Sequence, residues 1–390
     1  MSLNKKEILL LIDTVDSYDR NLIKGIIKYS RTYTSWNLIR PAPAYRNIGA
    51  TLMGNEFTSK NISGIIASEY KFTDRIKEMT IPKIAAPYKE IIGGIPNIVT
   101  DDAAIGQMGA KYFLSKGFDN FAFYGYEDSF WSKARQYSFQ NEINQARLNC
   151  LTKNKTQFKS KDSSQKHLKN LAKWLSGLKK PVAIMLCSDD LSFEIMEAAR
   201  LINARIPYEI AILGVDNDDL ICDLCSPSLS SIEHDSYTVG FNTAKMLDQM
   251  IKGEHSKNPN NIIGQPHHIV ERLSTEVLAI KDPNLLKALV FINETGPSQI
   301  LTVDCVVNVT CLSRRQLERK FLSTISSGIA KEIHRVKVNH IKYLLFSTNL
   351  TFKEIALETG FKNSDNFSRY FKHICKLSPR DYRRIRVSRL

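Results

Sequence analysis

Ile8-Leu9-Leu10-Leu11-Ile12 is an unbroken aliphatic run closed by Asp13. A strand with one face in a core alternates apolar and polar residues, so five aliphatic residues in succession describe a strand covered on both faces, as in a parallel sheet. Leu22, Ile23, Ile26, Ile27 and Tyr29 then repeat at helical spacing, which makes the opening a strand followed by a helix. The unit recurs. Gly64-Ile65-Ile66-Ala67, Lys83-Ile84-Ala85-Ala86, Phe121-Ala122-Phe123-Tyr124, Val182-Ala183-Ile184-Met185-Leu186 and Ile210-Ala211-Ile212-Leu213-Gly214 are short buried-strand candidates separated by amphipathic stretches. This alternation predicts an α/β doubly wound domain, with room for two lobes and a ligand cleft between them.

In open α/β sheets ligands lie beyond the carboxyl ends of the strands. Polar residues gather there: Asp13, Tyr18, Asp19 and Arg20 after the first strand, Asp101 and Asp102 after Ile98-Val99, Arg135 after Phe121 to Gly125, Ser188, Asp189 and Asp190 after Val182 to Leu186, and Asp216 and Asn217 after Ile212 to Gly214. Tyr126, Phe130 and Trp131 share the third of these loops. Carboxylates and an arginine pair with vicinal hydroxyls, and aromatic faces pack on a sugar ring, so the set suits a polyol. Any one aspartate, taken alone, is as readily the N-cap of the next helix.

Five segments give this region a family likeness: Val99-Thr100-Asp101-Asp102 leading through Gly106 and Ala110 to Gly117-Phe118, Arg135 to Phe139, Cys187-Ser188-Asp189, Ile206 to Asn217, and Ser226 to Ile232. In that order they resemble the LacI/GalR type of sensor domain, a two-lobed periplasmic-binding-protein-like α/β fold. The resemblance implies that Arg135 and Asp216 are sugar ligands, with Ser188 contributing. Tyr18, Asp19, Asp102 and Trp131 complete the expected ligand set. That family's N-terminal DNA-binding headpiece has no counterpart ahead of the first strand, so a DNA-binding element is expected elsewhere in the chain.

The tail opens at Asp282-Pro283, where Leu285, Leu286, Leu289, Val290 and Ile292 take helical spacing; the expected domains are 1–280 and 281–390. Thr351-Phe352-Lys353-Glu354 spells a capping box, Ile355 and Ala356 begin an apolar face, Gly360 supplies a turn, and Asn363 can cap a second helix burying Phe367, Tyr370 and Phe371. A similar pair lies upstream, with Val303, Val306 and Val307 on one helix, a turn near Cys311, and Ser313 capping a helix that buries Leu317 and Phe321. Two short helices joined by a tight turn make a helix-turn-helix, and Ile333 to Phe346 reads as a helix connecting the two copies.

Ser313 to Phe321, Thr351 to Phe361, Asn366 to Lys372 and Ser378-Pro379-Arg380-Asp381-Tyr382-Arg383 resemble the AraC/XylS signature over its full length. The tail is therefore expected to be an all-α domain with two helix-turn-helix motifs. By position, the resemblance places Arg315, Glu318 and Arg319 of the first recognition helix, and Ser364, Asp365, Asn366 and Arg369 of the second, toward base edges. Lys320, Lys362 and Lys372 are expected at phosphates. Cys311 stands where the family usually has a turn glycine, and Lys337 and Ile341 where the connecting helix usually has Arg and Ala. An AraC-type module behind a LacI-type sensor is the arrangement of xylose-operon regulators. It implies an operator duplex, a sugar effector with an aldopentose (D-xylose first) as the leading choice, RNA polymerase and a second copy of the chain as partners, and no cofactor.

Charge agrees with a nucleic-acid partner. From Asp282 to Leu390 there are 19 Lys and Arg against 9 Asp and Glu, while the rest of the chain carries 35 against 31, so most of the net +14 sits in the tail. Such an excess is the electrostatic footprint of a module that displaces counterions from phosphates. The seven scattered cysteines suggest reduced thiols in a cytosol, and Cys222-x-x-Cys225 has no companion pair to complete a zinc site, so no metal is expected. Lys5-Lys6 before the first aliphatic run imitates a signal peptide, but Asp13 breaks that run early, and no stretch is long enough to span a bilayer; the expected location is cytoplasmic. The rival reading is a carbohydrate-active enzyme using aspartates between Asp101 and Asp216 as acid and base. It leaves the basic tail unexplained, and the sequence contains no G-x-x-x-x-G-K-S/T, H-E-x-x-H or G-x-S-x-G.

Overall fold

A computed structural model describes residues 5–40, 62–156, 164–254, 260–276, 279–280 and 282–387. The chain forms two compact units, Met1–Val277 and Leu278–Leu390.

The first unit runs β1 (Glu7–Leu11), α1 (Ser17–Tyr33), β2 (Asn37–Ile39), β3 (Ile62–Ser68), α2 (Asp74–Glu78), β4 (Lys83–Ala86), β5 (Ile98–Thr100), α3 (Asp102–Ser115), β6 (Phe121–Tyr126), α4 (Phe130–Gln145) and β7 (Cys150–Lys155). It continues with α5 (Ser164–Ser176), β8 (Val182–Leu186), α6 (Ser192–Leu201), β9 (Ile210–Val215), α7 (Asp219–Leu224), β10 (Ser230–His234), α8 (Ser236–Lys252), β11 (Ile262–Gly264) and β12 (Pro266–Val270). Two sheets define its lobes, one ordered β2-β1-β3-β4 and one β12-β10-β9-β8-β6-β7, with β11 paired to β5 beside them. All pairings are parallel except β10 with β12. The first strand shows why its sequence does not alternate. Ile8, Leu10 and Ile12 enter the core shared with α1 and α8, whereas Leu9 and Leu11 enter the core on the other face with Ile76 of α2.

Helices α1 and α8 cross at backbone contact. A Cβ on Gly25 would lie 2.0 Å from the Tyr237 carbonyl oxygen, and one on Gly240 would lie 1.9 Å from that of Leu22, so only glycine permits the approach. The chain passes between lobes after β5, after β10 and from β11 to β12. These crossings are tied together by Asp101 N donating to Gly264 O (2.8 Å) and Asp235 N to Gln265 O (3.4 Å). The crossings converge at the strands' carboxyl ends, which is where the polar loops collect.

The second unit is helical among its described residues: α9 (Pro283–Thr295), α10 (Val303–Asn308), α11 (Arg314–Ile325), α12 (Ile329–Ser347), α13 (Phe352–Glu358), α14 (Ser364–Cys375) and α15 (Pro379–Val387). The expected capping box of Thr351 with Glu354 is formed, and Ser313, expected as a cap, makes a second box with Gln316, each satisfying two otherwise unpaired N–H groups. Ile355, Phe361, Phe367 and Phe371 share one core with Ile341 and Leu345 of the connecting helix α12. No described helix is long and apolar enough to cross a membrane.

Candidate functional site

The first unit holds a cavity of about 390 Å³ between its lobes, near the lower end of the range for small-molecule sites, about 300–1,000 Å³. One lobe contributes Asp13 and Asp16 from the β1–α1 connection and Tyr18 and Asp19 from the first turn of α1, with Tyr70 and Tyr88; the other contributes Trp131 and Arg135 of α4, Ser188 to Asp190, Asp216, Asp218 and His234. The strand-end logic therefore brings together Tyr18, Asp19, Trp131, Arg135, Ser188 and Asp216. Asp102 is set apart: it lies behind Arg135, outside the residues that line the cavity.

Arg135 organises the floor. It is 4% exposed and donates from Nε to Asp102 Oδ1 (2.9 Å), from Nη1 to Cys187 O (2.5 Å) and from Nη2 to Thr100 Oγ1 (3.2 Å). Its Nη1 stands 4.0 Å from Asp216, and its guanidinium carbon lies 4.8 Å from the Trp131 ring. Trp131 is in turn held edge-on between Tyr88 and Tyr126. Burial opposes the charge of both members of the Arg135–Asp102 pair. It raises the Asp102 carboxyl despite Arg135, whereas for Arg135 the two carboxylates outweigh burial and strengthen its hold on the proton.

Asp216 is fixed from three sides. His234 Nε2 lies 2.8 Å from Oδ1, Ser188 Oγ donates to Oδ2 at 3.0 Å, and its own N–H donates to Ile232 O. Burial works against its ionisation, but His234, Arg135 and Ser188 together hold it below the usual carboxylate range. Its φ is +108° and that of Asn217 +46°, a left-handed stretch that L side chains rarely adopt. The fold thus presents a strained, ionised carboxylate to the cavity. Asp19 contrasts with it: burial and the nearby Asp16 and Asp13 push its carboxyl up to about 8, so at neutral pH it is mostly protonated and can donate.

Asp101 takes the capping role, accepting from Ala104 N. Cys222 and Cys225 reach Asp189 and Ser192 rather than each other, both as free thiols. Two cavity-lining positions escaped the sequence reading. His234 ends β10 and carries the same signal as the others, a polar residue at the carboxyl end of a buried strand; its ring also packs 5.0 Å from Tyr18. Asp218 caps α7 and accepts from Ser17 N (2.8 Å) and Arg20 Nη2 (3.1 Å) of the opposite lobe, a pairing that only the folded chain reveals.

In the second unit Arg315, Arg319, Asp365, Asn366, Arg369 and Lys372 are exposed, and Glu318 and Ser364 half-buried, while Leu317, Phe321, Phe367 and Phe371 face the cores of their helix-turn-helix pairs. Arg369 Nη2 donates to Asn366 Oδ1 (2.9 Å), which pre-aligns two candidate base-reading groups. Lys320, expected at phosphate, is instead ion-paired with Asp282. Cys311 does not adopt a left-handed backbone conformation; its N–H donates to Asn284 Oδ1 of α9 (3.2 Å), so the first turn closes without glycine. In the second turn Gly360 has φ +77° and packs against the Ser298 carbonyl. Buried Lys337 donates to Thr359 O (2.7 Å) and Pro297 O (3.1 Å), and burial pulls its ammonium down to about 8.

A two-lobed binding domain with a cleft of carboxylates around one arginine, followed by paired helix-turn-helix motifs, defines the class: a ligand-responsive transcription regulator. Family models match accordingly, a periplasmic binding protein-like domain over residues 110–275 and a helix-turn-helix domain over 306–385. The chain is a full-length homologue of proteins named xylose operon regulatory protein: 26% identical to that of Haemophilus influenzae over 97% of this chain and 98% of the relative, and 24% identical to that of Escherichia coli K12 over 98% of each. Among solved structures, a xylose-binding transcription activator superposes with a TM-score of 0.79 at 22% identity, covering 99% of each chain. These relatives are regulators, and this chain is a regulator rather than an enzyme.

Proposed function

We propose that the effector is an unmodified aldopentose, D-xylose first, bound in the interlobe cavity with Arg135 and Asp216 as its principal polar partners. The observation that carries this reading is the Arg135–Asp216 pair, 4.0 Å apart on the cavity floor beside the Trp131 face, in a chain homologous throughout to xylose operon regulatory proteins. Ser188 and His234 orient Asp216, Asp102 backs Arg135, and Tyr18 and Asp19 supply hydroxyl partners from the opposite lobe. Sugar binding draws the lobes together and redirects the DNA-binding units of a cytoplasmic homodimer, which activates pentose-catabolic genes through RNA polymerase. Arg315, Glu318, Arg319, Ser364, Asp365, Asn366 and Arg369 read bases, and Lys372 meets phosphate. Lys320 joins it there on leaving Asp282.

The test is calorimetric titration of the folded protein with D-xylose, L-arabinose, D-ribose and D-glucose, followed by operator binding with and without the sugar that binds. Saturable D-xylose binding that Arg135→Ala abolishes, with low-salt DNA affinity retained, supports the assignment. Binding of another sugar alone moves the effector but keeps the site. Silence across the panel overturns the pentose reading.

A further inference from the structure

Strands β10 and β12 are the antiparallel pair at one edge of the six-stranded sheet. Glu233 and His268 stand directly opposite each other, and the register shifts at the next step, where His234 pairs with Pro266 and His267 is left as the extra residue of a bulge. In a regular strand His267 and His268 would point to opposite faces. The bulge re-aims one of them, so that their rings lie 5.4 Å apart, inclined at 69°, and His268 Nε2 comes within 3.5 Å of Glu233 Oε2. One donor atom from each of Glu233, His267 and His268 lies within 4.8 Å of the other two. Both histidines are exposed and Glu233 is half-buried, so water and ions reach the group.

We infer that Glu233, His267 and His268 form a surface site for a borderline divalent transition ion, zinc foremost. Two imidazoles and one carboxylate are a donor set that zinc takes in three-ligand sites, with the remaining position left to water, whereas magnesium and calcium prefer all-oxygen surroundings. Donors around a tetrahedral zinc at about 2.0–2.1 Å stand roughly 3.3 Å apart, a closing movement that exposed side chains make by rotation. The ion fastens β12 to β10 two residues short of the Asp235–Gln265 tie, where the chain crosses between lobes, and next to His234, the partner of Asp216. No part of this inference depends on which sugar the cavity binds.

The experiment uses the full-length, tag-free chain, stripped with chelator and kept reduced. It is titrated with Zn²⁺ and with Mg²⁺, and separately loaded with Co²⁺ to read its visible spectrum. Because Cys305 and Cys311 are exposed, the decisive comparison is with Glu233→Gln/His267→Ala/His268→Ala. Wild type is expected to bind one more zinc ion than this variant, in the micromolar range and without competition from Mg²⁺. The Co²⁺ bands that disappear in the variant are those without thiolate charge transfer. His268→Ala alone weakens that ion by at least about tenfold, and an unchanged melting temperature for the metal-free variants shows that folding is intact. Equal zinc stoichiometry and affinity in wild type and triple variant, or displacement by Mg²⁺, overturns the site.

Discussion

Replacing Arg135 by Met keeps most of the side-chain volume and deletes the charge. Two carboxyl groups depend on that charge: Asp102, 6% exposed, hydrogen-bonded to it at 2.9 Å, and Asp216 at 4.0 Å. The Cys187 carbonyl and the Thr100 hydroxyl lose a donor as well. Removing one partner of a buried ion pair costs about 3–5 kcal/mol, which in a domain of this size lowers Tm by roughly 6–20 °C. The loss carries its own pH signature. Burial already raises the Asp102 carboxyl with Arg135 in place; without Arg135 it rises further, so the folded state keeps a proton that the unfolded chain releases. The variant is therefore least impaired in mild acid, and its deficit widens as pH climbs toward 8. Adding Asp102→Asn removes the stranded carboxylate and should recover about half of the loss, with most of the pH dependence. All three tryptophans, Trp36, Trp131 and Trp174, lie in the binding domain, so fluorescence-detected urea unfolding reads that domain specifically. An Arg135→Met variant within about 0.5 kcal/mol of wild type at pH 8, a difference typical of surface substitutions, would refute the argument that this arginine neutralises the cleft floor.

Three further outcomes follow from other parts of the molecule. Asp19, pushed up to about 8 from an ordinary 3.8, lends stability that is complete below pH 4 and disappears as pH rises through 8. Asp19→Asn should therefore raise Tm more at pH 8 than at pH 5, and a pH-independent difference would contradict the shift. Gly25→Ala drives a methyl into the Tyr237 carbonyl and is expected to cost more than about 2 kcal/mol by forcing α1 off α8, measured by urea unfolding; a smaller loss would mean that the helices separate without cost. In the tail, Arg369→Ala should reduce operator preference over random DNA by about 1–3 kcal/mol, whereas Lys372→Ala weakens both alike and lowers the salt slope by about one, read by fluorescence anisotropy across a salt series.

Much of this was legible because the physics is local. Ile8 to Ile12 reads as a doubly covered strand since each alternate side chain has its own core to enter, and Thr351 and Glu354 spell a helix start because the capping box closes within four residues. The strand-end rule gathered Asp216 and Arg135 with the other polar residues there, and it was the family resemblance that singled those two out. Other features depend on long-range closure. Asp218 receives Ser17 and Arg20 from some 200 positions away, Lys320 is engaged by Asp282, and Glu233 meets His267 and His268 through a strand pairing whose bulge no spacing rule announces.

The division between Asp102 and Asp216 shows how far strand-end reasoning reaches. Both follow the carboxyl ends of strands and both approach Arg135, so composition cannot tell ligand from support. Three-dimensional charge balance does. Asp102 has one close cation and one hydroxyl donor, and burial raises its carboxyl; Asp216 has His234, Ser188 and Arg135, and is held ionised despite burial. Asp216 alone of the two also lines the cavity and sits on a strained backbone. A carboxylate that is ionised, oriented and exposed to the cavity can accept from two sugar hydroxyls, while one spent on neutralising an arginine fixes that arginine's direction. The two aspartates should therefore separate by experiment. Asp216→Asn exchanges one acceptor for a donor and gives up a carboxylate that folding holds ionised, so it lowers sugar affinity more than stability, its stability loss present at neutral pH and fading in acid. Asp102→Asn, by contrast, leaves Arg135 with one buried carboxylate fewer and lowers stability at least as much as affinity. Equal profiles for the two variants in paired calorimetry and urea unfolding would show that the cleft does not divide the labour in this way.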